Sequence, residues 1–110
     1  MTDVKITEVA FSTLQILTRY MTEFIGAEAA LILSEDLINH AEFVFSERPE
    51  SCPICHELEL IGSTDYRQLT IDKYKVLYRY DRTLDTAFII AFMRQKQSAE
   101  ELLITYALLQ

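Results

Sequence analysis

The sequence predicts an α+β fold in which an N-terminal strand and a helical hairpin pack on an antiparallel β-sheet, followed by a short C-terminal helix. Three patterns support this prediction. Apolar residues recur every three or four positions through residues 8–48, as they do on amphipathic helices. Runs rich in β-branched and aromatic residues follow between residues 66 and 93, as in strands. Residues 98–101 read Ser-Ala-Glu-Glu, which matches the capping box at the start of a helix.

The length and composition are those of one globular domain, and we expect residues 1–110 to form it. Half of the residues are apolar and a quarter are charged. No run approaches the roughly 20 apolar residues of a membrane-spanning helix, and the N-terminal residues do not resemble a secretion signal. We therefore expect a cytoplasmic protein that does not enter membranes and whose two cysteines stay reduced.

The charge is unevenly distributed along the chain. The net charge is −7, which by itself disfavours nucleic-acid binding. Residues 66–97 nevertheless have a net charge of +4, so the remainder has −11. Two interpretations stay open: a basic sheet on an acidic helical body, or strands that hold solvated Lys and Arg side chains on an open face.

The first half of the chain predicts a short strand at residues 4–7 and then two helices. Thr7 is expected to cap the first helix, and Gly26 can form the turn between the helices because glycine adopts left-handed backbone angles without steric cost. The second helix should stop before Pro49. The predicted buried stripes are Ala10, Leu14, Leu17 and Met21 on the first helix, and Ala30, Leu33, Leu37, Ala41 and Val44 on the second.

The second half predicts a three-stranded antiparallel meander at residues 66–72, 74–81 and 86–93. Residues 88–92 are apolar at every position, which is typical of a central strand. We expect the helical hairpin to cover one face of the sheet and to leave the other face free. Ser98 should then open a final helix that contains Leu102, Leu103, Tyr106 and Leu109.

The sharpest local motif is Cys52-Pro-Ile-Cys55-His56. Its spacing is that of covalent haem attachment, which usually takes place outside the cytoplasm. A zinc site needs four ligands, and the motif offers only Cys52, Cys55 and His56. A redox pair would open a helix after a strand, whereas this motif lies in an acidic loop. We favour two reduced cysteines that help the loop to pack, and we expect no cofactor.

No arrangement of a nucleophile with a base is evident in the sequence. Only His40 and His56 would titrate near neutral pH without perturbation, and His40 lies beside the apolar stripe of the second predicted helix. The neighbouring carboxylates Glu35–Asp36 and Glu100–Glu101 fit a solvated helix face and a helix start. These residues favour a binding domain over an enzyme.

The run Tyr74-Lys-Val-Leu-Tyr-Arg79, followed by a hydrophobic last strand, resembles the ParE/RelE superfamily of toxins from type II toxin–antitoxin systems. The resemblance extends over nearly the whole chain: an initial strand such as VKIT, a helical hairpin, a proline near its end (Pro49), and the tyrosine-rich strand with its partner. It implies a single ParE/RelE-like toxin domain at residues 1–110.

The resemblance also bears on which branch of the superfamily the chain belongs to. RelE-like members cleave messenger RNA on the ribosome with several basic residues on the sheet. Where RelE-like members have basic residues on the sheet, this chain has Gln68 and Thr70. Near the start of the final helix it has Glu100 and Glu101 rather than a tyrosine. The resemblance therefore implies a ParE-like toxin that inhibits DNA gyrase by protein binding, without enzymatic activity or direct nucleic-acid binding.

Two alternatives remain open. One is a RelE-like mRNA interferase that would use Lys75, Arg79, Arg94 and Lys96. The other is a toxin-fold protein that has lost its toxicity and persists as a binding subunit.

Superfamily membership would further imply a cognate antitoxin, a toxin–antitoxin hetero-oligomer and a role in plasmid stabilisation. The antitoxin of such a pair wraps its toxin with a segment that folds on binding. The residues that we expect to contact it, all of which fit a plain core role equally well, are Leu14, Leu17, Met21, Tyr78 and Phe92.

Overall fold

A computed structural model describes residues 1–108 and shows the predicted α+β fold, with one additional short helix. No helix among these residues is long and apolar enough to cross a membrane. Leu109, which the sequence places in the final helix, lies outside the described residues. The elements are β1 (Asp3–Ile6), α1 (Glu8–Ile25), α2 (Ala27–Glu47), α3 (His56–Glu59), β2 (Arg67–Ile71), β3 (Tyr74–Asp81), β4 (Thr86–Arg94) and α4 (Ala99–Leu108).

The sheet has four strands in the order β1-β4-β3-β2. The three later strands form the predicted antiparallel meander, whereas β1 pairs with β4 in parallel, so the sheet is mixed. The long connection through α1 and α2 permits this arrangement, since parallel neighbours need a crossover of a dozen or more residues. As predicted, β4 is a central strand.

The predicted ends of the two long helices are confirmed. The Thr7 hydroxyl accepts a hydrogen bond from the backbone N–H of Ala10 and so caps α1. Gly26 has a φ of 87°, a conformation that disfavours residues with a Cβ, and it separates α1 from α2. α2 ends at Glu47, two residues before Pro49.

The first core lies between the helical hairpin and one face of the sheet. Its buried residues from the hairpin and the strands are Ala10, Leu14, Leu17, Leu37, Ala41, Phe45, Tyr74, Val76, Tyr78, Ala87, Ile89 and Phe92, together with Cys52. On α2 the predicted stripe is shifted, because Leu33 and Val44 are only half-buried while Ser34 and Phe45 take the buried positions. The Phe45 ring stacks on Tyr78 with 3.7 Å between ring centroids.

The opposite face of the sheet is not free, and this prediction from the sequence is wrong. α3 and α4 cover part of that face and enclose a second core of Cys55, Leu58, Leu77, Ala91, Met93 and Ala99. The same face contains a β-bulge between β3 and β4. Leu77 pairs with Ala91 while Tyr78 pairs with Ile89, so Ile90 is the extra residue, and it packs against the second core, to which Ala91 belongs.

Thr13 on α1 completes the hydrogen bonding of β4 where β1 ends. β1 pairs with β4 only as far as Ile89, so the backbone N–H of Phe92 has no strand partner on that side. It donates instead to the buried Thr13 hydroxyl at 3.0 Å, and that hydroxyl donates to the carbonyl of Ala10.

We expect Thr13→Val to lower the free energy of unfolding by about 1–2 kcal/mol, because the isosteric change leaves a buried N–H unsatisfied. Urea titration would measure this loss. Thr22→Val is the matched control on the same helix, since the Thr22 hydroxyl donates only to the carbonyl of Thr18 one turn earlier. Equal losses in the two variants would contradict the role given to Thr13.

Candidate interaction surface

Of the four basic residues of the predicted interferase site, Arg94 and Lys96 line the same pocket beside the start of α4, whereas Lys75 and Arg79 lie elsewhere. Tyr74 pairs with Arg94 and Lys75 with Met93 across β3 and β4, and successive side chains of a strand point to opposite faces. Lys75 therefore faces the second core, whereas Arg94 lies on the side of the helical hairpin. Arg79 is five residues along β3 from the partner of Arg94, which is roughly 17 Å at the rise of an extended strand.

Lys75 is buried, with only 7% of its surface exposed. Its ammonium donates a hydrogen bond of 2.7 Å to the backbone carbonyl of Gln97, in the loop between β4 and α4. In this structure Lys75 therefore holds the entry to α4 and presents little charge to solvent.

Arg94 packs against the hairpin. Its guanidinium lies 4.1 Å from the centre of the Tyr20 ring and donates to the Tyr20 hydroxyl at 3.2 Å. Tyr20 in turn contacts Phe24 with 5.0 Å between ring centroids. Lys96 follows in the exposed loop after β4. Arg94 thus forms part of a mixed aromatic and cationic surface on α1.

The other arginines of the sheet bind groups of the chain itself. Arg67 donates to the backbone carbonyls of Cys52 and Glu50, and Arg82 forms an ion pair with the Glu50 carboxylate. The hydrogen bond from Arg82 lowers the pKa of Glu50; burial opposes this effect, and the charges of Arg82 and Arg67 add to it. Arg79 lies over the Phe88 ring at 5.0 Å. Much of the positive charge of residues 66–97 is therefore used to fix loops and rings in place.

Four of the five predicted antitoxin contacts are buried in the first core: Leu14, Leu17, Tyr78 and Phe92. Tyr78 is fully enclosed, and its hydroxyl donates to the carbonyl of Pro49 at 2.7 Å. Burial, with a smaller contribution from Cys52, raises the pKa of Tyr78 well above the ordinary value. Only Met21 is partly exposed in the free chain. The antitoxin role of these residues stays a prediction.

The helical hairpin exposes large apolar side chains on its outer side. A shallow groove between α1 and α2 is lined by Phe11, Leu31 and Ile38, among others, and Thr18 and Ser34 form a hydrogen bond across it. Phe11 and Leu31 are 51% and 56% exposed. They fall outside the core stripes, and apolar residues off the buried face of an amphipathic helix are the sequence signal that could have identified this groove.

The weak metal candidates are held apart by the sheet. Cys52 belongs to the first core and Cys55 to the second, and both are buried and outside any disulfide. His56 is largely exposed beside Glu59, with 3.9 Å between Nδ1 and the nearer carboxylate oxygen. Among the described residues no group of three His, Cys, Asp or Glu side chains could hold a metal ion.

Sequence comparison identifies no relative, since neither a protein-family model nor a curated protein matches the chain. Solved structures do match. The chain is similar to a chromosomal ParDE toxin–antitoxin system from P. aeruginosa, with 18% identity, a TM-score of 0.69, and 86% of this chain and 96% of that chain covered. It is also similar to the RelBE2 toxin–antitoxin complex of Mycobacterium tuberculosis, with 19% identity, a TM-score of 0.61, and coverages of 86% and 98%.

A third similar structure is the isolated RelE toxin of E. coli, with 14% identity, a TM-score of 0.50, and coverages of 98% and 99%. Identities this low establish the fold and leave the activity open. The matches span almost the full length of each neighbour, so the likeness applies to the whole domain. The chain has the fold of the ParE and RelE toxins.

Proposed function

We propose, from the ParE/RelE toxin fold of this chain, that it is the toxin of a type II toxin–antitoxin system and acts in the cytoplasm as a ParE-like inhibitor of DNA gyrase. The observation that supports the ParE-like assignment is the division of Lys75 and Arg94 between opposite faces of the sheet. Inhibition by protein binding requires a recognition surface and no assembled catalytic group.

RNA cleavage places stricter demands on a site. Cationic side chains must neutralise the phosphate, and a proton donor and acceptor must lie within hydrogen-bond reach of the reacting oxygen atoms. Here Lys75 is buried against the carbonyl of Gln97, and Arg94 is stacked on Tyr20. The overall charge of −7 would also repel ribosomal RNA.

A cognate antitoxin is the proposed regulator of this toxin. The exposed groove of Phe11, Leu31 and Ile38 suits an amphipathic segment that folds on binding, because such segments bury an apolar stripe against a preformed apolar groove. Arg19 and Glu35 flank the same groove, and complementary charges on the bound segment would fix its position along the groove.

Expression of the chain alone should arrest bacterial growth, and the purified protein should inhibit supercoiling of relaxed plasmid by gyrase. Co-expression of a small protein encoded beside its gene should restore growth.

The parallel assay adds the purified toxin to ribosomes programmed with messenger RNA, where we expect the message to stay intact. Unimpaired supercoiling at a molar excess of toxin over gyrase would overturn the gyrase assignment. Cleavage of the message would indicate an interferase, and unaffected growth a non-toxic binding subunit.

A further inference from the structure

α1 has a second apolar stripe, outside both cores. Ile16, Tyr20 and Phe24 recur every four residues along this helix and are 54%, 40% and 65% exposed. Residues four positions apart are neighbours on one side of a helix, so these three side chains form a continuous ridge. The buried stripe of α1, which includes Leu14 and Leu17, faces the first core instead. A contiguous exposed apolar ridge is typical of a surface that binds another molecule.

Cationic side chains gather where this ridge meets the end of β4. The Arg94 guanidinium lies 4.1 Å from the centre of the Tyr20 ring. Lys73 and Lys96 line a shallow depression together with Arg94, and Asp72 lines it as well. Three cations against one carboxylate give this depression a positive charge, in a chain whose net charge is −7.

Arg94 also lines a narrower depression, of about 130 Å³, whose walls are largely apolar. The apolar side chains of these walls come from α1, β4 and α4 and are Ile16, Leu17, Tyr20, Phe92 and Leu102. A water molecule occupies roughly 30 Å³ in the liquid, so the space accommodates one apolar side chain of moderate size. The apolar and the basic depression adjoin at Arg94, because its side chain lines both.

We propose that these neighbouring features form one recognition surface, which binds an acidic segment of a partner protein that carries an apolar anchor residue. This aromatic–cationic surface consists of the ridge and the cations beside it: Ile16, Tyr20, Phe24, Lys73, Arg94 and Lys96. The anchor side chain enters the apolar depression, and carboxylates next to it contact Arg94 and the two lysines. The inference rests on the proposed function, since the partner to which we assign the surface is gyrase.

The composition of the surface favours a protein over a nucleic acid as the partner. Tyrosine, phenylalanine and arginine are enriched at the centres of protein–protein interfaces, where tyrosine and arginine often dominate the binding energy. A nucleic acid would instead require cations spread along its phosphates, and here the cations lie at one end of an apolar ridge.

Arg94 is already held in a position to bind a carboxylate. It donates to the Tyr20 hydroxyl at 3.2 Å while stacked on the same ring. A guanidinium has several N–H donors, so Arg94 can keep this hydrogen bond and still bind a carboxylate with the others. A side chain that is ordered before binding loses less conformational entropy when the partner arrives.

The aromatic–cationic surface is distinct from the groove that we propose for the antitoxin. That groove is lined by Phe11, Leu31 and Ile38, among others, and in the described part of the chain it shares no side chain with the aromatic–cationic surface. Substitutions can therefore test the two surfaces separately.

Arg94→Gln removes the central charge of the surface. We expect it to raise the toxin concentration that half-inhibits gyrase supercoiling about tenfold, since hydrogen bonds to charged groups are the stronger ones. Arg94→Glu should raise it further, because like charges repel across an interface. Arg48→Gln is the matched control, since Arg48 is exposed at the end of α2, at the opposite end of the hairpin from Gly26. It should inhibit as the wild-type chain does.

Phe24→Ala tests the apolar ridge, and we expect it to weaken inhibition about fivefold. Phe43→Ala is its control, because Phe43 is equally exposed but lies on α2. Leu31→Glu, in the groove, should leave inhibition of gyrase unchanged. Urea titration of each variant checks that its fold is intact, and inhibition is compared at equal folded concentration.

The possible results lead to different conclusions. Wild-type inhibition by both Arg94→Gln and Phe24→Ala overturns the inference and leaves the proposed function standing, as do equal losses in these variants and their controls. Stronger inhibition by Arg94→Glu than by Arg94→Gln overturns the acidic character of the partner. A wild-type chain that does not inhibit gyrase overturns the proposed function and this inference with it. Retardation of relaxed plasmid in a gel by the toxin alone, lost in Arg94→Gln, would show that the surface binds DNA and would overturn the assignment to a protein.

Discussion

Replacing Phe45 with alanine is expected to lower the free energy of unfolding by about 3–5 kcal/mol, the range for removing a fully buried aromatic ring. Phe45 has no exposed surface and stacks on Tyr78, which is itself fully buried against the hairpin. The cavity would lie where α2, β3 and residues 49–52 meet, and the Tyr78 hydroxyl is fixed there to Pro49. Denaturant titration of both proteins by circular dichroism would measure the difference.

Phe43→Ala is the matched control for this prediction. Phe43 lies two positions earlier on α2 and is 66% exposed, so its replacement should change stability by about 0.5 kcal/mol or less. The two substitutions remove the same atoms from the same helix and differ in burial. A loss below about 1 kcal/mol for Phe45→Ala would show that the site collapses around the smaller side chain.

The parts of the fold that the sequence predicted depend on local chemistry. The caps at Thr7 and Ser98, the turn at Gly26 and the stop before Pro49 involve interactions within a few residues, so they can be identified from spacing. Strand alternation likewise predicted the bounds of β3, in which Tyr74, Val76, Tyr78 and Tyr80 share one face.

What the sequence did not predict depends on contacts between distant residues. Phe45 is buried because β3 presents Tyr78 opposite it, a partner 33 positions later. The second core joins residues 55–58 to β3, β4 and α4, and no periodic pattern marks residues 55–58 as a packing unit. Without that core the far face of the sheet looked free and Lys75 looked solvent-facing.

For the candidate surface, too, the sequence pattern indicates which residues are apolar but not which of them contact distant elements and become buried. The predicted antitoxin contacts belong to regular apolar stripes, and a regular stripe is first of all the signature of a core. Four of those five residues are accordingly buried. The apolar residues that do face solvent on the hairpin, such as Phe11 and Leu31, interrupt the pattern and were given no role.

Lys75→Met is expected to lower the free energy of unfolding by about 1.5–3 kcal/mol, because it removes a hydrogen bond from a buried charged group and leaves the carbonyl of Gln97 without its donor. Methionine keeps most of the volume of the lysine stem, so the loss reports the ammonium rather than a cavity. Thermal and urea unfolding would measure it. Lys73→Met, at the exposed turn between β2 and β3, should change stability by about 0.5 kcal/mol or less.

Lys75→Met also distinguishes two roles for Lys75: a structural support of α4 in a gyrase inhibitor, or a phosphate contact in an mRNA interferase. If Lys75 acts by its hydrogen bond to the carbonyl of Gln97 before α4, the Lys75→Met protein should be less stable than the wild-type chain. Its folded fraction should still inhibit gyrase as the wild-type chain does. If Lys75 instead contacted RNA phosphate, the variant would keep its stability and lose cleavage of ribosome-bound message, since phosphate contacts require the charge. Activity must be compared at equal folded concentration, at a temperature well below the midpoint of the variant. Full stability combined with lost activity would place Lys75 in the active surface of the toxin and contradict its role as a buried support of α4.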